Sequence, residues 1–113
     1  MNRIVRAAGC SYAGLKLALL RERAFQEELL VFLVLVIPGA VVFGESGLER
    51  AVLIGSWGNV LVVEVLNTAV EVAVDRIGTE HHPLSGQAKD LASAAVLLSI
   101  VLAFAVWALI LFT

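Results

Sequence analysis

Residues 91–113 run for 23 positions without a charged side chain. As a helix they rise about 35 Å, enough to cross the roughly 30 Å hydrocarbon core of a bilayer with some tilt. The chain around this segment is 60% hydrophobic with a mean hydropathy of +0.95, whereas soluble domains hold about 45–50% apolar residues. The sequence is that of an all-α membrane protein. Its 113 residues suit one membrane domain, 1–113, and too few helices to enclose a sizeable cavity.

Two more spans are expected, at about 24–43 and 51–74. In the first, the uncharged stretch 29–43 covers only about 22 Å, so Glu27 and Glu28 lie near its edge or face inward; solvated interfacial acids are the favoured reading and a ligand role the alternative. Pro38 is expected to kink this helix rather than end it. GESGLER, 44–50, reads as a polar turn holding Arg50. In the second span, Gly55, Ser56 and Gly58 would admit another helix closely, and Trp57 would pack or face the outer interface. Residues 78–87, GTEHHPLSGQ, read as loop, and the third span, 91–113, follows Ala88, Lys89 and Asp90.

The N-terminal 1–21 segment is amphipathic. Arg3, Arg6, Cys10 and Lys16 share one side; Ile4, Val5, Tyr12, Leu15 and Leu19 share the other. No uninterrupted apolar core or small-residue cleavage site follows the arginines, so an interfacial helix is expected in place of a signal peptide. Lysine and arginine number five before the first span, one in the 44–50 turn, two in the 76–89 segment and none after it. That asymmetry puts the N-terminus and the second loop in the cytoplasm. Net charge of −2 argues against a nucleic-acid partner, and the single cysteine, Cys10, precludes an internal disulfide.

The chemistry is concentrated in EVLNTAVEVAVDR, 64–76. At 100° per residue Glu64, Asn67, Glu71 and Asp75 fall within about 80° of arc, an acidic stripe on an otherwise apolar helix. Only about 20 Å of uncharged helix precedes Glu64, so the stripe should climb from inside the bilayer to the water. Acids in such a setting face a partner, a cation or a water-filled cavity. Oxygen ligands beside Lys89 suit Mg²⁺ and a phosphate, and the deepest carboxylate could take a proton from a hydroxyl. On chemistry alone three readings stay open: a metal-dependent enzyme, an ion or proton pathway, and a structural acidic network. No Walker loop or soluble-kinase signature is present. His81 and His82 are neighbours that point apart, which disfavours a joint metal site and leaves a loop role near nucleotide.

EVLNTAVEVAVDRIGTEHHPLSGQAKDLASAAVLL, together with RIVRAAGCSYAGL and RERAFQEE, closely resembles the small bacterial membrane diacylglycerol kinases over nearly the whole chain. The resemblance implies a homotrimeric helical bundle in the bacterial inner membrane, each subunit with an interfacial helix and three transmembrane helices. It implies a kinase that uses MgATP to phosphorylate diacylglycerol. By position Glu64 resembles the general base, and Glu22 and Glu71 resemble the metal ligands, supported by Asn67. Those two glutamates, with Arg3, Cys10, Glu80, His81, His82, Lys89 and Asp90, resemble nucleotide contacts. Arg3, Arg50, Glu64 and Ser93 resemble lipid-contacting positions. Tyr12 and Arg21 depart from the family pattern, and HHPL is similar to the related undecaprenol kinases, which makes undecaprenol the alternative substrate.

Overall fold

A computed structural model describes residues 2–113. Among them the secondary structure is entirely helical: α1 (Arg3–Arg21), α2 (Arg23–Val31), a π-helical segment (Phe32–Val36), α3 (Ile37–Phe43), α4 (Gly47–Ile77) and α5 (Pro83–Leu111). From α2 through α3 the chain is one continuous helix, Arg23–Phe43. That helix and α5 are each long and apolar enough to cross a membrane. At 31 residues α4 is longer than either, but it carries the acidic stripe along its last turns.

Local chemistry sets the helix starts. The Asn2 side chain accepts from the Val5 amide at 2.9 Å and opens α1. Ser46 accepts from the Glu49 amide at 3.1 Å, while Glu49 reaches back to the Glu45 amide at 3.1 Å, a reciprocal cap that starts α4 inside the segment expected to be a turn. The largest departure from expectation is at α5, which begins at Pro83, not after residue 87. His82 Nδ1 accepts from the Leu84 amide at 3.1 Å, and Pro83 fills the first helical position, where its missing N–H costs nothing. A proline that signals loop within a sequence here signals a helix start, and the true connection is 78–82.

Pro38 behaves as expected: the helix passes through it. Proline at this position cannot donate to the carbonyl four residues back, and its ring crowds that carbonyl. The wider π turn immediately before it, closed by the Ile37 amide donating to Phe32 O, is a known way for a helix to absorb such a disruption.

The central element is α4. The Arg23–Phe43 helix packs along one part of it and α5 along another, while α1 packs against α2 beyond a break at Glu22, whose backbone is extended (φ −98°, ψ 106°). Gln26 Nε2 donates to Leu19 O across that break at 2.8 Å. Leu53, Val60, Ala40 and Ala103 make the tightest part of the core. Two indoles cross-link it: Trp57 Nε1 donates to Glu28 O at 3.0 Å and Trp107 Nε1 to Leu53 O at 3.1 Å. In a lipid environment, where apolar burial drives little association, such interhelical bonds average about 0.6 kcal/mol and reach about 1.7.

The molecule is thin, 49 × 40 × 22 Å. Its accessible surface of 8134 Å² exceeds by about 2,000 Å² the value for a compact globule of its mass, and large apolar side chains are exposed on every helix. That surface suits lipid or further copies of the chain, not water.

Gly39 gives the packing a test. A Cβ there would lie 3.2 and 3.3 Å from the Trp107 ring, and that ring is tethered through its N–H. Alanine gains up to about 1 kcal/mol over glycine in helix propensity, offsetting a mild clash. A larger side chain meets overpacking costs of about 1–3 kcal/mol. Gly39→Ala is expected to be near neutral and Gly39→Leu to lower the thermal unfolding midpoint clearly in detergent. Equal midpoints for the two would contradict this packing.

Candidate active site

The stripe on α4 forms as the spacing requires and grades outward. Glu64 is 5% exposed, Asn67 half-buried, and Glu71 and Asp75 exposed. Asn67 Nδ2 donates to Glu71 Oε1 at 3.2 Å, which fixes the two side chains along one line. Asp75 Oδ1 accepts from Lys89 Nζ at 2.8 Å, joining α4 to α5. Lys89 is exposed and precedes the uncharged 91–113 stretch; the hydrogen bond from its ammonium to Asp75 holds its pKa above the ordinary lysine range.

The other face of the site comes from α2. Glu28 is half-buried on the helix face that carries the buried Phe25, and Trp57 of α4 donates to its backbone carbonyl at 3.0 Å. Three buried oxygens have no hydrogen-bond partner among the described residues: Glu64 Oε2, Glu28 Oε2 and Asn67 Oδ1. Acceptors held in this way carry a large desolvation cost unless a donor or a cation meets them. Of the two placements open to these acids, Glu28 takes the inward one, against the favoured solvated reading, while Glu27 stays on the exposed side, paired with Arg23 at 3.0 Å. The signal was available: Phe25, Glu28 and Phe32 are spaced i, i+3, i+7 and share one helix face, and Phe25 is buried.

Glu22 sits half-buried at the break between α1 and α2. His82 has a structural task as the cap of α5. Glu80 folds back toward Gly78, where an added Cβ would come within 2.5–2.6 Å of its carboxylate oxygens. Arg3, Cys10, His81 and Asp90 are exposed and make no side-chain hydrogen bond among the described residues. Ser93 is exposed on α5. Arg50 lies 14 residues before Glu64, about 21 Å along α4, so a single chain does not bring it to the cluster. Nor does a single chain gather three His, Cys, Asp or Glu side chains at metal-binding distance among the described residues.

Buried hard oxygens on an otherwise apolar helix, with a lysine beyond them, suit chemistry at a hydroxyl group. Comparison with known proteins defines the class. Residues 9–111 match the family described as prokaryotic diacylglycerol kinase. The chain belongs to this family. It is 44% identical to the diacylglycerol kinase of Escherichia coli K12 over 112 residues, 99% of this chain and 91% of that one. It is 41% identical to the Haemophilus influenzae diacylglycerol kinase (99% and 94% covered) and 42% identical to that of Pseudomonas aeruginosa (98% and 89%). Within this family the cluster of Glu64, Asn67 and Glu71 is the natural candidate for the reacting centre.

Proposed function

We propose that the protein is an ATP- and Mg²⁺-dependent lipid kinase that transfers a phosphoryl group directly from ATP to the free hydroxyl of diacylglycerol, giving phosphatidic acid. The observation that carries this reading is Glu64: a carboxylate buried among apolar side chains, with one oxygen lacking a partner, on the same face as Asn67 and Glu71. Glu64 is suited to take the proton of a lipid hydroxyl that approaches from the bilayer. The donor set also fits magnesium, a hard cation that takes carboxylate and amide oxygens. Glu71 and Glu22 would hold it, with the Asn67 amide orienting Glu71. When bound, the ion neutralises charge on the transferring phosphoryl group.

Lys89 is assigned to the ATP phosphates, and Arg3, the backbone at Cys10, Glu80, His81, His82 and Asp90 to the rest of the nucleotide. Ser93 and Arg50 are assigned to lipid. The domain 1–113 has its interfacial helix at 1–21 and spans at about 24–43, 51–74 and 91–113, with the N-terminus on the cytoplasmic side of the bacterial inner membrane. The surplus apolar surface supports assembly as a homotrimer, which would cover the sides of α4 and could bring Arg50 and Ser93 of one copy near a site of another.

Labelled ATP, Mg²⁺ and a panel of diacylglycerol and undecaprenol in mixed micelles test this directly. Labelled phosphatidic acid is expected; labelled undecaprenyl phosphate alone would reassign the substrate, and ion conductance without ATP consumption would overturn the enzyme. Lys89→Met separates function from structure within the same assay. Its ion pair is about half exposed on both sides and so contributes little to stability, whereas loss of a phosphate-binding cation should raise the KM for ATP about tenfold or more. An unchanged KM would return Lys89 to a structural pair.

A further inference from the structure

Resting on the diacylglycerol reading above, we infer that the apolar groove walled by Trp57 and Phe104 seats one acyl chain of the lipid acceptor, and that these two side chains determine which chains the enzyme accepts. The groove lies between the helix Arg23–Phe43, α4 and α5, with Val31, Leu35, Trp57, Phe104 and Trp107 along its walls and a volume of about 280 Å³. A cavity of roughly 150 Å³ lined by apolar side chains takes up benzene. By that scale this groove holds about ten carbon atoms, a good part of one acyl chain.

Its position follows from helical register. Trp57 and Glu64 are seven residues apart and share a face of α4, so Trp57 stands about 10 Å from the carboxylate, toward the helix start. Val31 and Leu35 stand about 5 and 10 Å from Glu28 along the facing helix, and Gly39, which the Trp107 ring touches, about 16 Å. The groove therefore begins where the facing carboxylates end and runs away from them into the apolar zone. A diacylglycerol with its hydroxyl at Glu64 has its glycerol at the carboxylates and its chains directed along this path.

The walls admit nothing polar. Both indole N–H groups are taken by backbone carbonyls, Trp57 by Glu28 O and Trp107 by Leu53 O. Trp57 marks the boundary between the two halves of such a substrate: its N–H is fixed on the Glu28 backbone, and its ring meets Phe104 edge-on at 6.4 Å and 82°. That pair lines a groove whose volume of about 280 Å³ takes part of one chain, so the second chain would remain in the bilayer.

The test is a turnover profile over diacylglycerols of graded chain length and unsaturation, measured for wild type, Trp57→Ala, Phe104→Ala and Trp57→Phe. One methylene in an apolar pocket is worth roughly 10- to 200-fold in selectivity. Trp57→Ala and Phe104→Ala should each shift the ratio of long- or kinked-chain to short-chain turnover by about tenfold or more toward the bulkier lipid. Trp57→Phe keeps a ring in the wall and should retain the wild-type order of preference. Because each ratio is taken within one variant, a general loss of folded protein cancels, and Phe104→Ala repeats the test on another helix. Equal losses on every chain, with unchanged ratios, would overturn the inference. An oligomer that dissociates in Trp57→Ala, with an unchanged profile, would also overturn it and assign the groove to a neighbouring copy. Wild-type enzyme inactive on every diacylglycerol would instead overturn the substrate assignment.

Discussion

Glu64→Gln is expected to lower turnover by about 10²- to 10⁴-fold, the usual contribution of a general base, while leaving the KM for MgATP close to wild type. The substitution keeps the volume of a side chain that is only 5% exposed and removes an acid from an apolar setting, so the helix packing has no reason to fail. What it removes is the acceptor for the hydroxyl proton. If Glu64 instead held the metal, Mg²⁺ titrations would shift along with turnover. Steady-state kinetics at graded Mg²⁺ and ATP, with an unfolding curve as control, distinguish these cases, and full turnover in the variant would remove Glu64 from the chemistry altogether.

Glu71→Ala should have the opposite signature: turnover recoverable at high magnesium, with the Mg²⁺ requirement raised at least about 10- to 100-fold. Loss of a group that only orients a ligand already costs that much in metal affinity, and Glu71 is assigned as a ligand itself. Glu71 is exposed and bonded to Asn67 Nδ2 at 3.2 Å, so removing it breaks no core contact. Asn67→Ala then offers an internal comparison, since it frees Glu71 without deleting it and should give a smaller shift in the same direction. Glu22→Ala should resemble Glu71→Ala. Unaltered magnesium titrations in both glutamate variants would make these acids structural.

The sequence is most informative where side-chain period and bilayer thickness act together. The stripe from Glu64 to Asp75 follows from 3.6-residue periodicity alone, and its grading from buried to exposed follows from how much uncharged helix precedes it. For Glu28 the span length leaves an edge and an inward placement open, and its position on one helix face with the buried Phe25 selects the inward one. The start of α5, by contrast, was misplaced. Pro83 is a breaker in most contexts, and only the histidine before it, acting as a cap through Nδ1, turns the same residue into a first helical position. The pairing of Lys89 with Asp75 and the two indole–carbonyl bonds depend on which helices become neighbours, and no local pattern encodes that.

The π-helical segment Phe32–Val36 has a meaning beyond accommodating Pro38. It acts like a one-letter insertion in a reading frame: the helix continues, but everything after it is set about 100° out of phase with everything before. Glu28 on the near side is half-buried with its carbonyl held by the Trp57 indole, and Gly39 on the far side is turned toward the ring of Trp107. Deleting one residue between 32 and 36 would rotate one half of the helix by about 100° against the other, with Pro38 still lacking its N–H, so the chemistry at one end of this span and the packing at the other are coupled through the phase of a single turn.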